Sequence, residues 1–530
     1  MKPFDENNEF RPVAQDGTLR RRTVRSAGVT LASQGVGLAV QIIATVTLAR
    51  LLTPADFGVV TMVTTFSLLL VNFGVNGFTE AVLQRDKINH FLASNLFFIN
   101  LGVGLLLTLG FAAAGSLLAH FYGNARVAPI AVGISLTILI TSTSVVHLAL
   151  LMRAMQFTLV SANDFLSRVA SVVVSILCAW AGWGYWALVA GAVAQPLSQA
   201  IGAWTLCRWV PSLPRRVAGT GSMVRFAAHV YGRFTLNYFS RNVDNLLVGW
   251  RFNAQALGFY KKAYDLFALS ALTQNLTTVA LSALSRLSGD SQQCRRYLLR
   301  ALSVAAFLGL GIGGALTLVG KDLIRVLLGP GWEPAGEVFT FFGPSFGLMF
   351  LYGIHGWIHL SIGQPGRWFR WAWVEFTVTG LLFVLALPWG PRGVAASWSL
   401  SLCILTIPAL WYAGKPIQLG IAPVLAAVWR YVAASLLAGC TTAMITGRLL
   451  SFAAASTSIG AIARIAKISF LFGVLYVSAV IILHRGLAPL TQVAGLFREM
   501  VPGSKVSRPS QAAAATRSAG TSDALPLTGE

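Results

Sequence analysis

The sequence predicts an all-α polytopic membrane protein with about fourteen transmembrane helices. We expect two pseudo-symmetric six-helix lobes followed by two extra C-terminal helices. Three observations lead to this fold class: the apolar composition, the regular succession of apolar windows, and a sequence pattern that returns 200 residues further along the chain.

The composition sets the class of protein. Of the 530 residues, 55% are hydrophobic and only 11% are charged, and the mean hydropathy is +0.68. So few charged residues cannot cover the water-exposed surface of a soluble globular protein of this length. We therefore expect most of the outer surface to face lipid.

Apolar windows of roughly 20 residues, the length that crosses the hydrocarbon core of a bilayer, follow one another along most of the chain. The windows from the sixth to the ninth have the least sharply defined ends. In chain order they lie at 27–48, 57–79, 92–118, 128–149, 161–180, 185–207, 226–249, 257–284, 300–320, 336–360, 371–388, 393–413, 422–447 and 461–484.

The positive charges indicate how these helices are oriented. The net charge is +22, from 40 Lys and Arg against 18 Asp and Glu. Counted along the sequence, alternate connections together with both termini carry 25 of the 40 basic residues, and the other connections carry seven. This is the positive-inside distribution, and it predicts an even number of spans with both termini cytoplasmic. It explains the basic balance without nucleic acid as a partner.

A repeat predicts the domain organisation. The segments LARLLTPADFGVVTMVTTFS (48–67) and VGWRFNAQALGFYKKAYDLF (248–267) align without gaps, and each reads as a helix end, a short outer loop and a new helix that opens on an apolar residue followed by glycine. An even number of spans per copy makes the repeat parallel. We expect a cytoplasmic N-terminal tail (1–26), an N-terminal six-helix lobe (27–210), a cytoplasmic inter-lobe linker (211–225), a C-terminal six-helix lobe (226–413), two additional transmembrane helices (422–484), and a cytoplasmic, largely disordered tail (485–530).

Polar side chains recur at helical spacing in spans 1, 2, 7 and 8. Residues three or four apart share one face of a helix, and span 7 carries such a stripe from His229 to Asp244. This predicts a central cationic cavity between the lobes, suited to an anionic, hydroxyl-rich cargo. The candidate cavity residues are Gln41, Asn72, Asn76, Arg233, Asn237, Arg241, Asp244, Lys261 and Lys262.

For each charged candidate, a structural role is the alternative to a role in binding. Lys261 and Lys262 lie close to the outer interface, where long cations also extend to lipid headgroups. Arg233 and Arg241 lie roughly 10 to 12 Å from the ends of their span at 1.5 Å per residue, which favours a functional role. Asp244 either pairs with Arg241 to hold the helix or binds cargo or an ion.

Two acidic residues are candidate ion-coupling groups. Asp265 lies four residues after Lys261, the spacing of an ion pair within one helix. Glu375 is an isolated acid in span 11, which either binds a coupling proton or sodium ion or forms an ion pair with the nearby Arg370 or with a lysine elsewhere.

No motif in its context indicates catalysis or a metal site. The GPSFG segment beginning at Gly343 fits a nucleophile pattern, but that chemistry needs a strand-turn-helix and this segment lies in an apolar helical span. His355 and His359 have the spacing of a zinc helix without the acid that should follow the first histidine. The five cysteines show no paired spacing. We therefore expect no enzyme activity, no metal and no cofactor.

Three segments resemble a known family: ARLLTPADFGV (49–59), DNLLVG (244–249) and ALGFYKKAYDL (256–266). They resemble the Wzx/WzxC-type polysaccharide exporters of the multidrug/oligosaccharidyl-lipid/polysaccharide superfamily. The resemblance implies a flippase that moves undecaprenyl-pyrophosphate-linked oligosaccharide repeat units across the bacterial inner membrane, by alternating access, for exopolysaccharide, capsule or O-antigen synthesis. The family motif falls on Asp244, Asn245, Gly249, Gly258, Tyr260, Ala263 and Tyr264.

The resemblance also implies partners: the lipid-linked oligosaccharide, membrane lipids, and a polysaccharide polymerase and glycosyltransferases of the same pathway. Two other functions stay open at this point. A cation-coupled multidrug or sodium antiporter of the same superfamily needs acids placed for cationic cargo, whereas the predicted cavity is basic. A membrane polysaccharide polymerase or glycosyltransferase usually carries a large outer loop with catalytic acids, and the longest outer connection here, about 321–335, holds only Asp322 and Glu333.

Overall fold

A computed structural model describes residues 3–10, 19–85, 87–217, 219–268, 291–448 and 458–500. Within these ranges the chain is a bundle of α-helices, with short 3-10 turns at Leu387–Trp389 and Lys415–Ile417. The helices are α1 (Leu19–Leu51), α2 (Pro54–Gln84), α3 (His90–Ala113), α4 (Gly115–Tyr122), α5 (Val127–Ser142), α6 (Val145–Arg153), α7 (Phe157–Trp180), α8 (Tyr185–Cys207), α9 (Thr220–Arg251), α10 (Ala254–Ala268), α11 (Ser291–Leu328), α12 (Glu333–Ser361), α13 (Pro365–Ala386), α14 (Gly390–Gly414), α15 (Ile421–Arg448), α16 (Ser458–His484) and α17 (Ala488–Met500).

The helices agree with the predicted all-α membrane fold. Each apolar window coincides with one helix or with two consecutive ones, and the part of the eighth window beyond residue 268 lies outside the described residues. Nine helical stretches of the described chain are long and apolar enough to cross a membrane. The chain is therefore a multi-pass membrane protein, and its helices are consistent with the predicted fourteen spans.

The two copies of the repeat begin their second helix in the same way. The Thr53 hydroxyl accepts a hydrogen bond from the Asp56 amide, and the Asp56 carboxylate accepts one from the Thr53 amide at 2.9 Å, which makes a capping box. At the equivalent position of the second copy, the Asn253 side chain accepts from the Ala256 amide at 2.8 Å. These caps satisfy backbone N–H groups that a helix leaves without partners in its first turn.

The two C-terminal helices α15 and α16 pack against α11 of the second lobe. The Tyr476 hydroxyl donates to the Phe307 carbonyl at 2.8 Å, and Ser435 donates to the Leu310 carbonyl at 3.0 Å. An ion pair of 3.4 Å joins Arg464 to Asp322. The Arg464 side chain therefore attaches α16 to the lobe.

The terminal regions carry more structure than their polar composition suggests. Helix α1 begins at Leu19, within the predicted tail 1–26, and α17 lies within the predicted tail 485–530, of which residues 501–530 are outside the described part. Ahead of α1, the Phe10 amide donates to the Ile88 carbonyl and the His90 amide donates to the Asn8 carbonyl. This pairing fixes residues 3–10 against the first lobe.

Candidate functional site

Helices α2 and α10 cross at the predicted outer side of the bundle, where α1 ends and α2 begins. At the crossing Gly58 lies against the Ala254 carbonyl, and Gly258 lies against the Pro54 carbonyl. A Cβ atom on either glycine would overlap the backbone of the other helix. The contact is therefore reciprocal between the two copies of the repeat, and it needs glycine in both.

A tryptophan from the loop between α11 and α12 completes this contact. Trp332 is 2% exposed, and its indole N–H donates to the Ala49 carbonyl of α1 at 2.9 Å. The rings of Phe57 and Phe259, one from each copy of the repeat, flank it at centroid distances of 5.6 and 6.0 Å. We call this contact, formed by Pro54, Gly58, Ala254, Gly258 and Trp332, the outer closure.

From the outer closure towards the predicted inner side, α2 of the first lobe packs against α9 of the second. The Tyr238 hydroxyl donates to the Thr65 carbonyl at 2.7 Å, and the Tyr231 hydroxyl donates to the Leu69 carbonyl at 3.0 Å. Further along, Gly77 lies against Ala227. These contacts form a continuous seam between the lobes, made by two of the helices that were predicted to line the central cavity.

Asp244 is fully buried on the second-lobe side of this seam. One carboxylate oxygen accepts from the Tyr260 hydroxyl at 2.7 Å and from the Trp398 indole N–H at 2.9 Å. The other oxygen accepts from the Asn245 amide at 2.8 Å. The carboxylate thus joins α9, α10 and α14. Among the described residues these three donors are its hydrogen-bond partners, whereas pairing with Arg241 was one of its two predicted roles.

Arg241 lies on α9 with an exposed side chain. Glu375 of α13 and Tyr264 of α10 lie near it. Glu375 also lies beside Tyr352, whose hydroxyl accepts from the Trp371 indole N–H at 3.0 Å. The structure therefore brings one predicted cargo-binding residue and one predicted ion-coupling residue close together, whereas an ion pair with Arg370 was one of the alternatives predicted for Glu375.

The two lysines of α10 have different surroundings. Lys261 forms the predicted ion pair with Asp265, at 2.6 Å. Lys262 is 8% exposed and lies 3.9 Å from the other oxygen of Asp265, with its ammonium 4.0 Å from the centre of the Phe57 ring. Lys262 therefore makes a cation–π contact between the lobes beside the outer closure.

The remaining cavity candidates fall into two groups. Gln41 of α1 is exposed, and Asn72 of α2 donates to the Leu68 carbonyl at 2.7 Å within its own helix. The side chains of Asn76, Arg233 and Asn237 lie outside the described part of the chain.

Two residues of this site were not predicted. Trp398 and Tyr352 lie in apolar spans, where an aromatic side chain reads as packing. For Trp398 a weak signal existed, because the segment around it, GVAASWS (393–399), echoes GYWALVAG (184–191) of the first half.

The fold is similar to solved membrane transporters. A structure of the lipid II flippase MurJ in an inward closed conformation superposes with a TM-score of 0.67 and 13% identity, over 86% of this chain and 98% of that chain. An inward-facing multidrug resistance transporter of the MATE family, of the MOP superfamily, gives 0.58 and 13%, over 74% and 98%. At such low identity these matches show a shared fold.

Sequence relatives are named for polysaccharide biosynthesis. The chain is 20% identical to the lipopolysaccharide biosynthesis protein WzxC of Escherichia coli, over 60% of this chain and 65% of the relative. It is 22% identical to the succinoglycan biosynthesis transport protein ExoT of Rhizobium meliloti (68% and 74%) and 23% identical to the teichuronic acid biosynthesis protein TuaB of Bacillus subtilis (59% and 66%). The matches thus span about two thirds of the relatives' length.

The prediction that this chain is not an enzyme agrees with its relative ExoT, which is named as a transport protein. The family described as "Polysaccharide biosynthesis protein" matches residues 47–337, which include both copies of the repeat, the seam and the outer closure. The chain belongs to this family of polysaccharide biosynthesis proteins.

Proposed function

We propose that this protein is a flippase of the bacterial inner membrane that moves undecaprenyl-pyrophosphate-linked oligosaccharide repeat units from the cytoplasmic to the outer leaflet, with both termini cytoplasmic. Family membership and the flippase fold support the reaction class. The division into lobes at 27–210 and 226–413, with the linker 211–225 and two additional helices at 422–484, belongs to the same proposal. A polymerase and glycosyltransferases of the pathway would be its functional partners.

The observation that carries the proposal is the placement of Arg241. Its side chain is exposed, and no carboxylate among the described residues lies within ion-pair distance of it. A guanidinium forms paired hydrogen bonds with phosphate oxygens, so it suits a pyrophosphate. A charged side chain at this depth of a membrane protein is energetically unfavourable, which favours a binding role for Arg241 over a purely structural one.

The contacts between the lobes suggest the order of events. With the outer closure formed, cargo reaches Arg241 from the inner side, where the seam between α2 and α9 has to part. Release then requires the crossing of α2 and α10 to separate, as in alternating access about a fixed site. The prenyl tail stays in lipid, and polar residues of α1 and α2, such as Gln41 and Asn72, meet sugar hydroxyls.

The driving force follows from the charge of the cargo. An inside-negative potential favours outward movement of an anion by ~2.3 kcal/mol per charge at 100 mV, so two phosphate charges gain about twice that amount. Glu375 is the better candidate for ion coupling, because its protonation would change the field at Arg241. Asp265 is held by Lys261 and Lys262, so its protonation would instead loosen α10 beside the outer closure.

The test is leaflet accessibility of a prenyl-pyrophosphate oligosaccharide in proteoliposomes. We expect the native chain to accelerate translocation, and Arg241→Ala to slow it by about 10- to 100-fold, since a hydrogen bond to a charged group contributes ~1.5–3 kcal/mol. Arg251→Ala is the matched control, because Arg251 is an exposed arginine at the end of the same helix. Native protein that moves no oligosaccharide but exports cationic dyes would replace the flippase with an antiporter.

A further inference from the structure

The segment between α8 and α9, residues 208–217, is fixed along the inner end of α3. The Asn95 side chain accepts from the Arg215 amide at 3.0 Å and donates to the Arg215 carbonyl at 2.6 Å. The same side chain also donates to the Thr220 hydroxyl at 3.2 Å, and the Ser212 amide donates to Ser94 at 3.1 Å. Because Asn95 is 6% exposed, these bonds hold the segment in one place.

The side chains that this segment turns outward are apolar and basic. Val210 is 74% exposed and Leu213 is 79% exposed. Two exposed arginines, Arg215 and Arg216, follow directly, and neither forms an ion pair within the described part of the chain. Exposed apolar side chains next to cations are typical of a segment that lies in the headgroup layer of a membrane.

A cavity of about 850 Å³ opens between this segment, α3 and the start of α9. Its polar wall consists of Arg215, Arg216, Asn95 and Thr220, and its apolar wall includes Phe98 and Ile99 of α3. Along α3 the apolar wall continues into an exposed stripe of Leu105, Leu106 and Leu109. The cavity is therefore cationic at one end, and at the other end it continues into the apolar stripe of α3, which runs towards the middle of the membrane.

We propose that this cavity binds the headgroup of an anionic phospholipid of the inner leaflet, with its phosphate against Arg215 and Arg216 and an acyl chain along the α3 stripe. Paired arginines match phosphate geometry, and basic pockets on this side of membrane proteins suit anionic headgroups. Arg241 lies 21 residues further along α9 than Thr220, about 30 Å at 1.5 Å per residue, so the lipid site is separate from the proposed cargo-binding residue. The inference needs the membrane fold and does not depend on the flippase reaction.

The experiment titrates the purified full-length chain in detergent with phosphatidylglycerol or phosphatidylcholine and counts bound lipids by native mass spectrometry. We expect one phosphatidylglycerol to bind more tightly than phosphatidylcholine, and the double variant Arg215→Gln with Arg216→Gln to weaken it by about 30-fold, given the usual contribution of a basic residue near an anionic surface. Arg225→Gln, an exposed arginine on the first turns of α9 that does not line the cavity, should leave binding unchanged.

A second variant separates a lipid from free phosphate. Leu106→Asn changes an exposed residue of the stripe, so folding is retained, and we expect it to weaken phosphatidylglycerol about fivefold without affecting the arginines. The proposed site would be wrong if the native chain and the double arginine variant bound phosphatidylglycerol equally well. It would also be wrong if Arg225→Gln lost as much phosphatidylglycerol affinity as the double variant. If inorganic phosphate displaces the lipid fully and Leu106→Asn has no effect, the site takes free phosphate and the lipid assignment is wrong.

Discussion

The bonds around Asp244 allow a quantitative prediction about the stability of the second lobe. Asp244→Ala removes the acceptor from two buried donors, the Tyr260 hydroxyl and the Trp398 indole N–H. Each buried donor left without a partner costs ~1–3 kcal/mol, so the gross loss is about 2–6 kcal/mol. Removing the carboxylate also removes the cost of burying a charge, so we expect a net loss near the lower end, ~2–3 kcal/mol.

Asp244→Asn should cost less, because the amide oxygen still accepts from Tyr260 and Trp398 while only the bond from the Asn245 amide is lost. We expect ~1 kcal/mol for that variant. Asn242→Ala is the control on the same helix, since the Asn242 side chain, as far as the described residues show, bonds to the Tyr238 carbonyl of its own helix and to no other helix. The free energy of unfolding is measured by titration with dodecyl sulfate in mixed micelles, followed by circular dichroism.

A double-variant cycle provides the refutation. Tyr260→Phe removes the donor that Asp244→Ala would leave without a partner, so the two substitutions together should cost at least ~1 kcal/mol less than the sum of their separate effects. Costs that add within about 0.5 kcal/mol would show that the two groups act independently. The account of Asp244 as the buried junction of α9, α10 and α14 would then be wrong.

Two further predictions concern contacts between helices. Gly58→Val should push α10 away from α2 by on the order of 1–2 Å. A cysteine placed at the buried Leu257, in a background without the five native cysteines, should then react several-fold faster with a membrane-impermeant thiol reagent. An equal increase in Gly102→Val, where a Cβ has open space, would contradict this prediction. Arg464→Gln breaks the partly exposed ion pair with Asp322 and should lower the free energy of unfolding by no more than ~1 kcal/mol in the same titration. A larger loss would show that this ion pair by itself holds α16 in place.

Local features of the fold could be read from the sequence. Apolar windows located the helices, and the spacing of Lys261 and Asp265 predicted their ion pair, because both signals depend only on neighbours within one helix. The gapless repeat placed Gly58 and Gly258 at equivalent positions. The structure adds that the two glycines make reciprocal contacts across the lobes, Gly58 with Ala254 and Gly258 with Pro54.

The partners of Asp244 and Glu375 could not be predicted from the sequence. Trp398 is 154 residues from Asp244, and no periodicity links residues in different helices. For Glu375, pairing with Arg370, five positions earlier in the same helix, was one predicted alternative, but the rotation of α13 in the packed lobe places it near Tyr352 and Arg241. Helix rotation is set by packing of the whole bundle, so side-chain orientation is where reasoning from one helix at a time fails.

The reciprocal glycine contacts of the outer closure have a mechanical consequence. At both glycines the contact is backbone against backbone, without a flexible side chain that can extend as the helices separate. Attraction between such surfaces is short-ranged, and a gap of 0.5–1 Å already forfeits about a quarter to a half of it. Even a small separation therefore gives up a large share of the contact energy, and losing one of the paired contacts weakens the other. We therefore expect the crossing of α2 and α10 to have two states, closed or fully separated, without populated intermediates between them.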